Sequence, residues 1–290
     1  MHHSERRQFL KLAGLAGVTF TAGLFPERRA EAQAGDFHFV QMSDTHWGFK
    51  GPPNPDAEHT LEKAIVTVNG LANKPDFIIF TGDLTHTTED AKIRRERMKR
   101  FKEIVSGLNV KDVRFIPGEH DASLDKGEAF KEFFGATHYT FDHKGVHFIT
   151  LDNVSDPGAK LGDEQLAWLA ADLKQRKPDD RIVVFTHRPL FDLVPNWDWA
   201  TADGAKAIDL LMPYQNIVVF YGHIHQEHHH MTGHIAHHAA KSLIFPQATP
   251  GDAPKRPPPP PFDASLKPLG TRDVAMGKAV TITELPVTKA

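Results

Sequence analysis

Short β-rich runs alternate with amphipathic stretches along most of this 290-residue chain, and this alternation restricts the fold more than any other feature. The runs that we expect to be strands are residues 37–42, 77–81, 113–117, 181–186 and 217–221. Several are wholly apolar and too short for helices, which is typical of strands buried on both faces. Between them, residues 163–173 place Leu166, Leu169 and Leu173 on one helical face. The pattern favours an α/β fold in which helices cover the sheets.

The remaining elements fit the same fold. The sequence predicts helices at residues 58–71, 91–105, 124–134, 163–173 and 205–211. A hairpin is expected from residues 138–141 and 146–151, turning at 142–145, and more strand at 228–245 and 279–284. No internal repeat and no linker divides residues 35–290. We therefore expect these residues to form one domain.

The N-terminus, residues 1–34, resembles a twin-arginine export signal. Residues 4–11 carry an arginine pair followed by Phe-Leu and Lys, and the mildly apolar stretch 12–25 is too short to cross a bilayer comfortably. Residues 32–34 offer an Ala-x-Ala cleavage site, and residues 30–32 offer a second one. The resemblance implies the twin-arginine export machinery as a partner, a periplasmic or secreted protein, and no stable membrane anchor after cleavage. An uncleaved N-terminal anchor is the alternative.

Composition points to metal chemistry without sulfur. The chain has no Cys, which excludes disulfides and thiolate metal sites, whereas its 19 His residues are an unusually large number. The formal net charge is −3, so there is no broad basic excess, and no nucleic-acid surface is evident.

Asp, Glu or His follows each of the five expected strands at the point where the strand ends. These residues are Asp44 and His46, then Asp83, then Glu119, His120 and Asp121, then His187, then His223 and His225. Ligands of such sheets bind beyond the carboxyl ends of the strands, so the five loops should converge. Any one residue alone is more simply a turn cap or a packed loop histidine. The whole set indicates a metal site.

The order of these motifs resembles that of the calcineurin-like metallophosphoesterases: D-x-H, G-D, G-N-H-D or G-N-H-E, a single H, and G-H-x-H. The resemblance covers residues 37–225, most of the chain that follows the leader. It implies a four-layer α/β/β/α sandwich, with two sheets flanked by helices and a metal site at the carboxyl ends of the strands. It also implies an enzyme that hydrolyses small phosphate esters, either monoesters or diesters.

The family's ligands carry over onto matching positions of this chain. One metal ion would take Asp44, His46, Asp83 and His225, and the other would take Asp83, Glu119, His187 and His223. His120 would be a proton donor or phosphate contact, with Asp121 orienting its ring. Oxygen and imidazole ligands suit Fe, Mn, Zn or Co. Two such ions can hold a bridging hydroxide as the nucleophile and stabilise charge on the phosphate.

Glu119 departs from the family, which has Asn at this position. Three ionised carboxylates and a hydroxide cancel the four positive charges of two divalent ions, which weakens the attraction for a phosphomonoester dianion. Three hypotheses follow. Glu119 is a ligand that favours an Fe(III)–M(II) pair; or it shifts preference toward diester monoanions; or the site has lost a metal ion or its catalysis. The last case is the rival function, an exported metal-binding or sensing protein.

Other residues have competing interpretations. His86 stands where the related purple acid phosphatases have an iron-binding Tyr, so no tyrosinate-to-iron colour is expected; it would either pack beside the ligands or be an exposed loop histidine. The histidines of residues 228–238 either collect metal ions or belong to a solvated hairpin, which we favour. Arg188 would contact phosphate or form a structural ion pair. Trp197 and Trp199 would line the pocket or be buried under their loop, and we favour burial.

Overall fold

The strands are runs of aromatic and β-branched residues that are buried on both faces. The computed structural model describes residues 20–22, 36–251 and 253–287. In the strand Phe77–Thr81, Phe77 and Ile79 face the other sheet, whereas Ile78 and Phe80 face a layer of helices. Side chains of a strand alternate between its two faces, so a wholly apolar run requires a covered sheet.

The strands of the described residues form two six-stranded sheets. In chain order they are β1 (Phe20–Ala22), β2 (His38–Met42), β3 (Phe77–Thr81), β4 (Val113–Ile116), β5 (Tyr139–His143), β6 (Val146–Thr150), β7 (Arg181–Phe185), β8 (Asn216–Tyr221), β9 (His228–Thr232), β10 (Ile235–Ala239), β11 (Gly270–Met276) and β12 (Val280–Pro286). The first sheet has the order β1-β12-β11-β2-β3-β4, and the second has the order β5-β6-β7-β8-β10-β9. Strands β2, β3 and β4 are parallel, as are β6, β7, β8 and β10.

Helices cover the outer face of each sheet. They are α1 (Ala57–Asn69), α2 (Ala91–Val105), α3 (Glu119–Ala122), α4 (Glu128–Phe134), α5 (Gly162–Leu173) and α6 (Gly204–Leu211). Helices α1, α2 and α4 pack on the first sheet, while α5 and α6 pack on the second. Within these described residues, no helix is both long and apolar enough to cross a membrane.

The inner faces of the two sheets pack together around Phe39. Its ring stacks on Phe77 of the same sheet at 4.9 Å and meets Phe148, Phe185 and Phe220 of the other sheet edge-on at 5.6–6.1 Å. Offset and edge-on aromatic pairs add to the free energy gained from burial alone. This contact fixes the two sheets against each other and brings their carboxyl edges to the same side.

Loops from both sheets meet at that edge. Asp44 N–H donates to Gly82 O at 3.1 Å, which joins the loops after β2 and β3. His223 N–H donates to Asp44 Oδ1 at 3.0 Å, which joins the loop after β8 to the first sheet.

The structure confirms the expected two-sheet α/β sandwich flanked by helices, with two local differences. Strand β11 was not predicted, and the expected helix at 124–134 is the shorter α4, preceded by the single turn α3. The predicted leader lies outside the described residues except for β1, which pairs antiparallel with β12. The leader therefore stays a prediction.

Candidate metal centre

Two groups of four acidic and histidine side chains meet at the carboxyl edge and share one member, Asp83. The first group is Asp44, His46, Asp83 and His225, and the second is Asp83, Glu119, His187 and His223. Within each group, one nitrogen or oxygen of every residue lies within 4.8 Å of the others. The loops after five strands of two sheets supply these residues, as the sequence predicted.

The first group surrounds a small buried space. His46 Nε2 lies 3.3 Å from Asp83 Oδ2 and 3.2 Å from His225 Nε2. His225 Nε2 lies 3.4 Å from Asp44 Oδ1. All four side chains are buried. These are distances at which separate ligands surround one cation.

The second group is equally tight, and Glu119 belongs to it. His187 Nε2 lies 2.9 Å from Glu119 Oε2 and 3.5 Å from Asp83 Oδ2. His223 Nδ1 lies 3.0 Å from Glu119 Oε1. Because Asp83 Oδ2 approaches both His46 and His187, its carboxylate stands between the two groups.

Five of the seven side chains stand on backbone of left-handed conformation. The φ angles are 53° at Asp44, 40° at His46, 50° at Asp83, 65° at His223 and 56° at His225. Non-glycine residues rarely adopt such angles, and the strain of about 1–3 kcal/mol per residue persists only where the surroundings enforce it. Strain of this kind clusters at functional sites, which supports a binding role for the edge.

The motif glycines make room for the ligand side chains. A Cβ on Gly82, whose φ is +95°, would lie 2.3 Å from His187 Nδ1. A Cβ on Gly118 would lie 2.1 Å from Asp83 N and Oδ1. Both contacts are far shorter than van der Waals contact, so only glycine allows these loops to approach.

Ring orientation leaves a nitrogen of three histidines free to bind a cation. His187 Nδ1 lies 2.7 Å from Thr81 O, and His225 Nδ1 lies 2.8 Å from Phe245 O. A nitrogen facing a carbonyl oxygen carries the proton, so the lone pair of each ring is on Nε2, inside the ligand group. His46 Nδ1 instead faces His86 Nδ1 at 3.5 Å, outside its group.

Electrostatics favour ionised carboxylates at this edge. Burial alone would raise the pKa of Glu119, but His223 and His187 hold it well below the ordinary value. Burial likewise opposes ionisation of Asp44, yet His225 and His187 lower its pKa overall. Burial tends to lower the pKa of His187, but Asp83 and Glu119 raise it well above the ordinary value. A buried cluster of negative charge therefore attracts cations.

The unpaired atoms in the second group fit a metal ion. Glu119 Oε2, His187 Nε2 and both ring nitrogens of His223 are buried and have no aligned hydrogen-bond partner among the residues that the structure describes. Buried polar atoms are rarely left unpaired, and each one has an energetic cost of about 1–3 kcal/mol. A divalent or trivalent cation would bind these converging nitrogen and oxygen lone pairs.

His120 and Asp121 lie beside the ligand groups, and among the described residues no hydrogen bond joins their side chains. Both carboxylate oxygens of Asp121 accept main-chain N–H groups, from Leu84 and Gly118 on Oδ2 and from Thr85 on Oδ1. The Thr87 N–H donates to Nδ1 of the His120 ring at 3.2 Å. The carboxylate of Asp121 thus joins the two loops, and its role in orienting the His120 ring stays a prediction.

His86 packs among the site histidines, which the sequence alone left open. Its half-buried ring lies 5.1 Å from that of His120 and 5.6 Å from that of His46. The signal that could have identified it is its position, three residues after Asp83 and in the same loop.

Two further expectations have outcomes, and a third stays a prediction. Trp197 and Trp199 are buried, as favoured. Arg188 is buried and its Nε donates to Trp199 O at 3.3 Å, but burial and then the nearby Arg188 charge both act to lower the pKa of His223, so a contact of Arg188 with phosphate stays a prediction. The histidine hairpin is not solvated throughout, because His237 and His238 are fully buried in β10.

Comparisons with known proteins agree with this geometry. The family model of the calcineurin-like phosphoesterases matches residues 37–227. A probable glycerophosphodiester phosphodiesterase GpdQ of Arcobacter nitrofigilis is 31% identical over 202 residues, covering 64% of this chain and 71% of the relative. The serine/threonine-protein phosphatase CPPED1 of Danio rerio is 26% identical over 220 residues, covering 67% and 71%.

Solved structures share the fold at low sequence identity. A dimetal phosphatase from Danio rerio superposes with a TM-score of 0.59 at 13% identity, covering 87% of this chain and 99% of that one. A purple acid phosphatase from yellow lupin seeds superposes with a TM-score of 0.63 at 14% identity, covering 85% and 50%.

Proposed function

Because the chain belongs to the calcineurin-like phosphoesterase family, we propose that it hydrolyses phosphate esters at a centre of two metal ions held by the two ligand groups. The observation that carries the proposal is the convergence of both groups on Asp83. Bound there, the ions would activate water as the nucleophile and offset the charge that develops on the phosphate. Asp83 is the natural bridge, since one of its oxygens faces histidines of both groups.

His120 is the proposed donor to the leaving group. Its Nδ1 accepts the Thr87 N–H, so the neutral ring carries its proton on Nε2. That nitrogen lies 4.0 Å from Asp83 Oδ2 and therefore faces the centre. The Nε2–H of this ring is placed to donate a hydrogen bond to a phosphate oxygen or to the leaving oxygen. Full transfer of a proton to the leaving alkoxide requires the doubly protonated ring, in which Nδ1–H gives up the contact with Thr87 and a neutral ring remains after transfer.

Glu119 is the proposed reason for a mixed metal pair. A third carboxylate reduces the positive charge of the centre, and replacing one divalent ion by Fe(III) restores it. The close contacts of Glu119 with His187 and His223 support its role as a ligand. If both ions are divalent, the lower charge instead favours diester monoanions over monoester dianions. The name of the Arcobacter relative makes glycerophosphodiesters the first diesters to assay.

The test is hydrolysis of a generic monoester and a generic diester by protein loaded with Mn, Fe or Zn. We expect turnover of at least one ester, and loss of turnover in His120→Ala with both metal ions retained. Absence of turnover in fully loaded protein would favour the rival function, a metal-binding or sensing protein.

We also propose export by the twin-arginine route, from the arginine pair at residues 6–7. The full chain should reach the periplasm of a bacterium with a working twin-arginine system. Arg6→Lys combined with Arg7→Lys should retain it in the cytoplasm. Equal export of both chains would contradict this proposal.

A further inference from the structure

A groove of about 350 Å³ lies between the segment after β2 and the helices α1 and α2. Its walls include Trp47, Phe49, Ile93, Arg97 and Arg100. The volume is within the usual range for pockets that hold small molecules, roughly 300–1,000 Å³.

The groove and the metal centre share a wall. The ring of Phe49, which lines the groove, packs edge-on against His86 at 5.1 Å, and His86 stacks beside the proposed proton donor His120. Arg97 closes the same wall, since its guanidinium donates to His86 O at 2.7 Å and to Thr87 O at 3.0 Å. Trp47, whose main-chain oxygen accepts the His86 N–H at 3.0 Å, directly follows the ligand residue His46.

The charges that line the groove favour an anion. Three cations, Lys50, Arg97 and Arg100, face two carboxylates, Glu58 and Glu96. Glu96 also lies 3.8 Å from Lys92, and Arg100 lies 3.2 Å from Glu103, so each of these two groove charges has a partner outside the groove. Arg97 forms no ion pair with any carboxylate in the described part of the chain. An arginine without a carboxylate partner offers N–H groups that suit a carboxylate or phosphate.

The groove also has features that suit a planar group. Phe49 and Trp47 supply aromatic surface, and Ile93 is an exposed apolar side chain on α2. The indole N–H of Trp47 is buried without a hydrogen-bond partner among the described residues. A buried donor of this kind is usually satisfied by water or by a ligand.

We propose that this groove binds one ester group of the substrate, and that this group combines a planar apolar part with an anionic substituent. The inference rests on the proposed phosphoesterase function and specifies its substrate class. The planar part packs against Phe49 and Trp47, and the anion pairs with Arg97 and Arg100. The ester phosphate then lies beyond His86, at the metal centre.

A matched pair of diesters tests the charge requirement. Both carry 4-nitrophenol as the coloured leaving group; the other ester group is 4-carboxyphenyl in one and the uncharged 4-carbamoylphenyl in the other. We expect the KM of the carboxylate to be about tenfold lower, as one charge-assisted hydrogen bond allows, with similar kcat. The difference should shrink at high salt, because part of the groove is open to solvent.

Two variants and a control locate the effect. Arg100→Gln removes a groove charge without touching the loop of His86, and Arg97→Gln removes the cation nearest the centre. Arg100→Gln should raise KM for the carboxylate diester and leave that of the amide nearly unchanged. Arg97→Gln should raise the KM of the carboxylate diester more than that of the amide, and it also changes kcat for both because Arg97 holds His86 O and Thr87 O. Arg95→Gln is the matched control: it lies on the same helix and is ion-paired as Arg100 is, but it does not line the groove. A KM ratio that is the same in the wild type and both groove variants would overturn the proposal.

Failure of the phosphoesterase function gives a different result. If metal-loaded wild type hydrolyses neither of these diesters nor a generic monoester or diester, that function fails, and calorimetric binding of the two compounds tests the groove by itself. Tighter binding of the carboxylate by the wild type, lost in Arg100→Gln and kept in Arg95→Gln, supports the groove. Equal affinities for the two compounds overturn it.

Discussion

Glu119 Oε2 lies 2.9 Å from His187 Nε2, and this contact joins a loop of the first sheet to a loop of the second. Its other oxygen lies 3.0 Å from His223 Nδ1. The residue that departs from the family pattern is therefore inside the ligand group. Its charge acts on whatever ions the centre holds.

Replacing Glu119 by Asn should change metal preference or ester preference, depending on the ions that the wild type holds. We expect two ions to remain. If the wild type holds a mixed pair, the proportion of Fe(III) should fall; if both ions are divalent, the monoester-to-diester ratio of kcat/KM should rise by about tenfold, because the more positive centre attracts the dianion. Glu119→Gln, which keeps the length of the side chain, should behave in the same direction. Elemental analysis with kinetics on both esters measures this. Unchanged metal content together with an unchanged ester ratio would contradict both ligand hypotheses.

Replacing His120 by Asn should separate catalysis from metal binding. The variant should keep both ions, because His120 is in neither four-residue ligand group. We expect kcat to fall by about 10²–10⁴, the usual contribution of a general acid. The loss should be smaller for esters whose leaving group is already acidic, such as 4-nitrophenol. A loss of one ion would show that His120 is a ligand.

His86 should act on metal affinity through His46. His46 Nδ1 must carry a proton when Nε2 binds a metal ion, and His86 Nδ1, 3.5 Å away, is the acceptor. His86→Phe keeps a ring beside His120 but removes the acceptor, and should weaken binding of one ion by about 10–100-fold. His86→Asn keeps an acceptor and should retain more of the affinity.

The control is His138→Phe, which alters a half-buried histidine that packs on Trp168 away from the centre. Chelator competition measures the affinities. Equal metal affinities in His86→Phe and in the control would rule out this role. If the wild type binds a third ion and His86→Phe does not, His86 is itself a metal ligand.

The buried histidine hairpin should make stability depend on pH independently of the metal centre. Burial, with His230 nearby, lowers the pKa of His237 to about 3 in the folded chain. In the unfolded chain the pKa of His237 has its ordinary value of about 6.5. Between pH 6.5 and pH 3 the unfolded chain therefore binds a proton at His237 that the folded chain does not bind. Stability therefore falls as pH falls below about 6.5.

The contribution of His237 should be about 2 kcal/mol between pH 7.5 and pH 5. His237→Phe should reduce the loss of unfolding free energy over this interval, measured by urea titration of both proteins. Met231→Leu, on the same hairpin, changes no titrating group and should keep the wild-type dependence. An equal loss in His237→Phe and the wild type would contradict the account.

The ligand loops could be predicted from the sequence because the physics that places them is local. A parallel strand that ends in Asp or His delivers that side chain to one edge of the sheet, whatever the other strands do. The hydrogen-bond partners of the histidine rings could not be predicted in this way. Thr81 O and Phe245 O are main-chain atoms that carry no sequence signal, and Asp121 binds main-chain amides.

Strand β11 was missed for a similar reason. Arg272 and Asp273 make residues 270–276 look like a surface segment, yet Arg272 is fully buried. Its guanidinium donates to Ala239 O and lies 2.7 Å from Glu284 on the neighbouring strand β12. A buried cation is tolerated only with such partners, and those partners come from distant parts of the chain.

The count of bound metal ions tests the two-metal centre most directly. Protein purified after metal loading should contain two ions per chain. Asp83→Ala, which removes the shared carboxylate, should lose at least one of them together with ester hydrolysis. Full ester hydrolysis by wild type that contains one ion or none, or two ions retained with full activity in Asp83→Ala, would contradict the account.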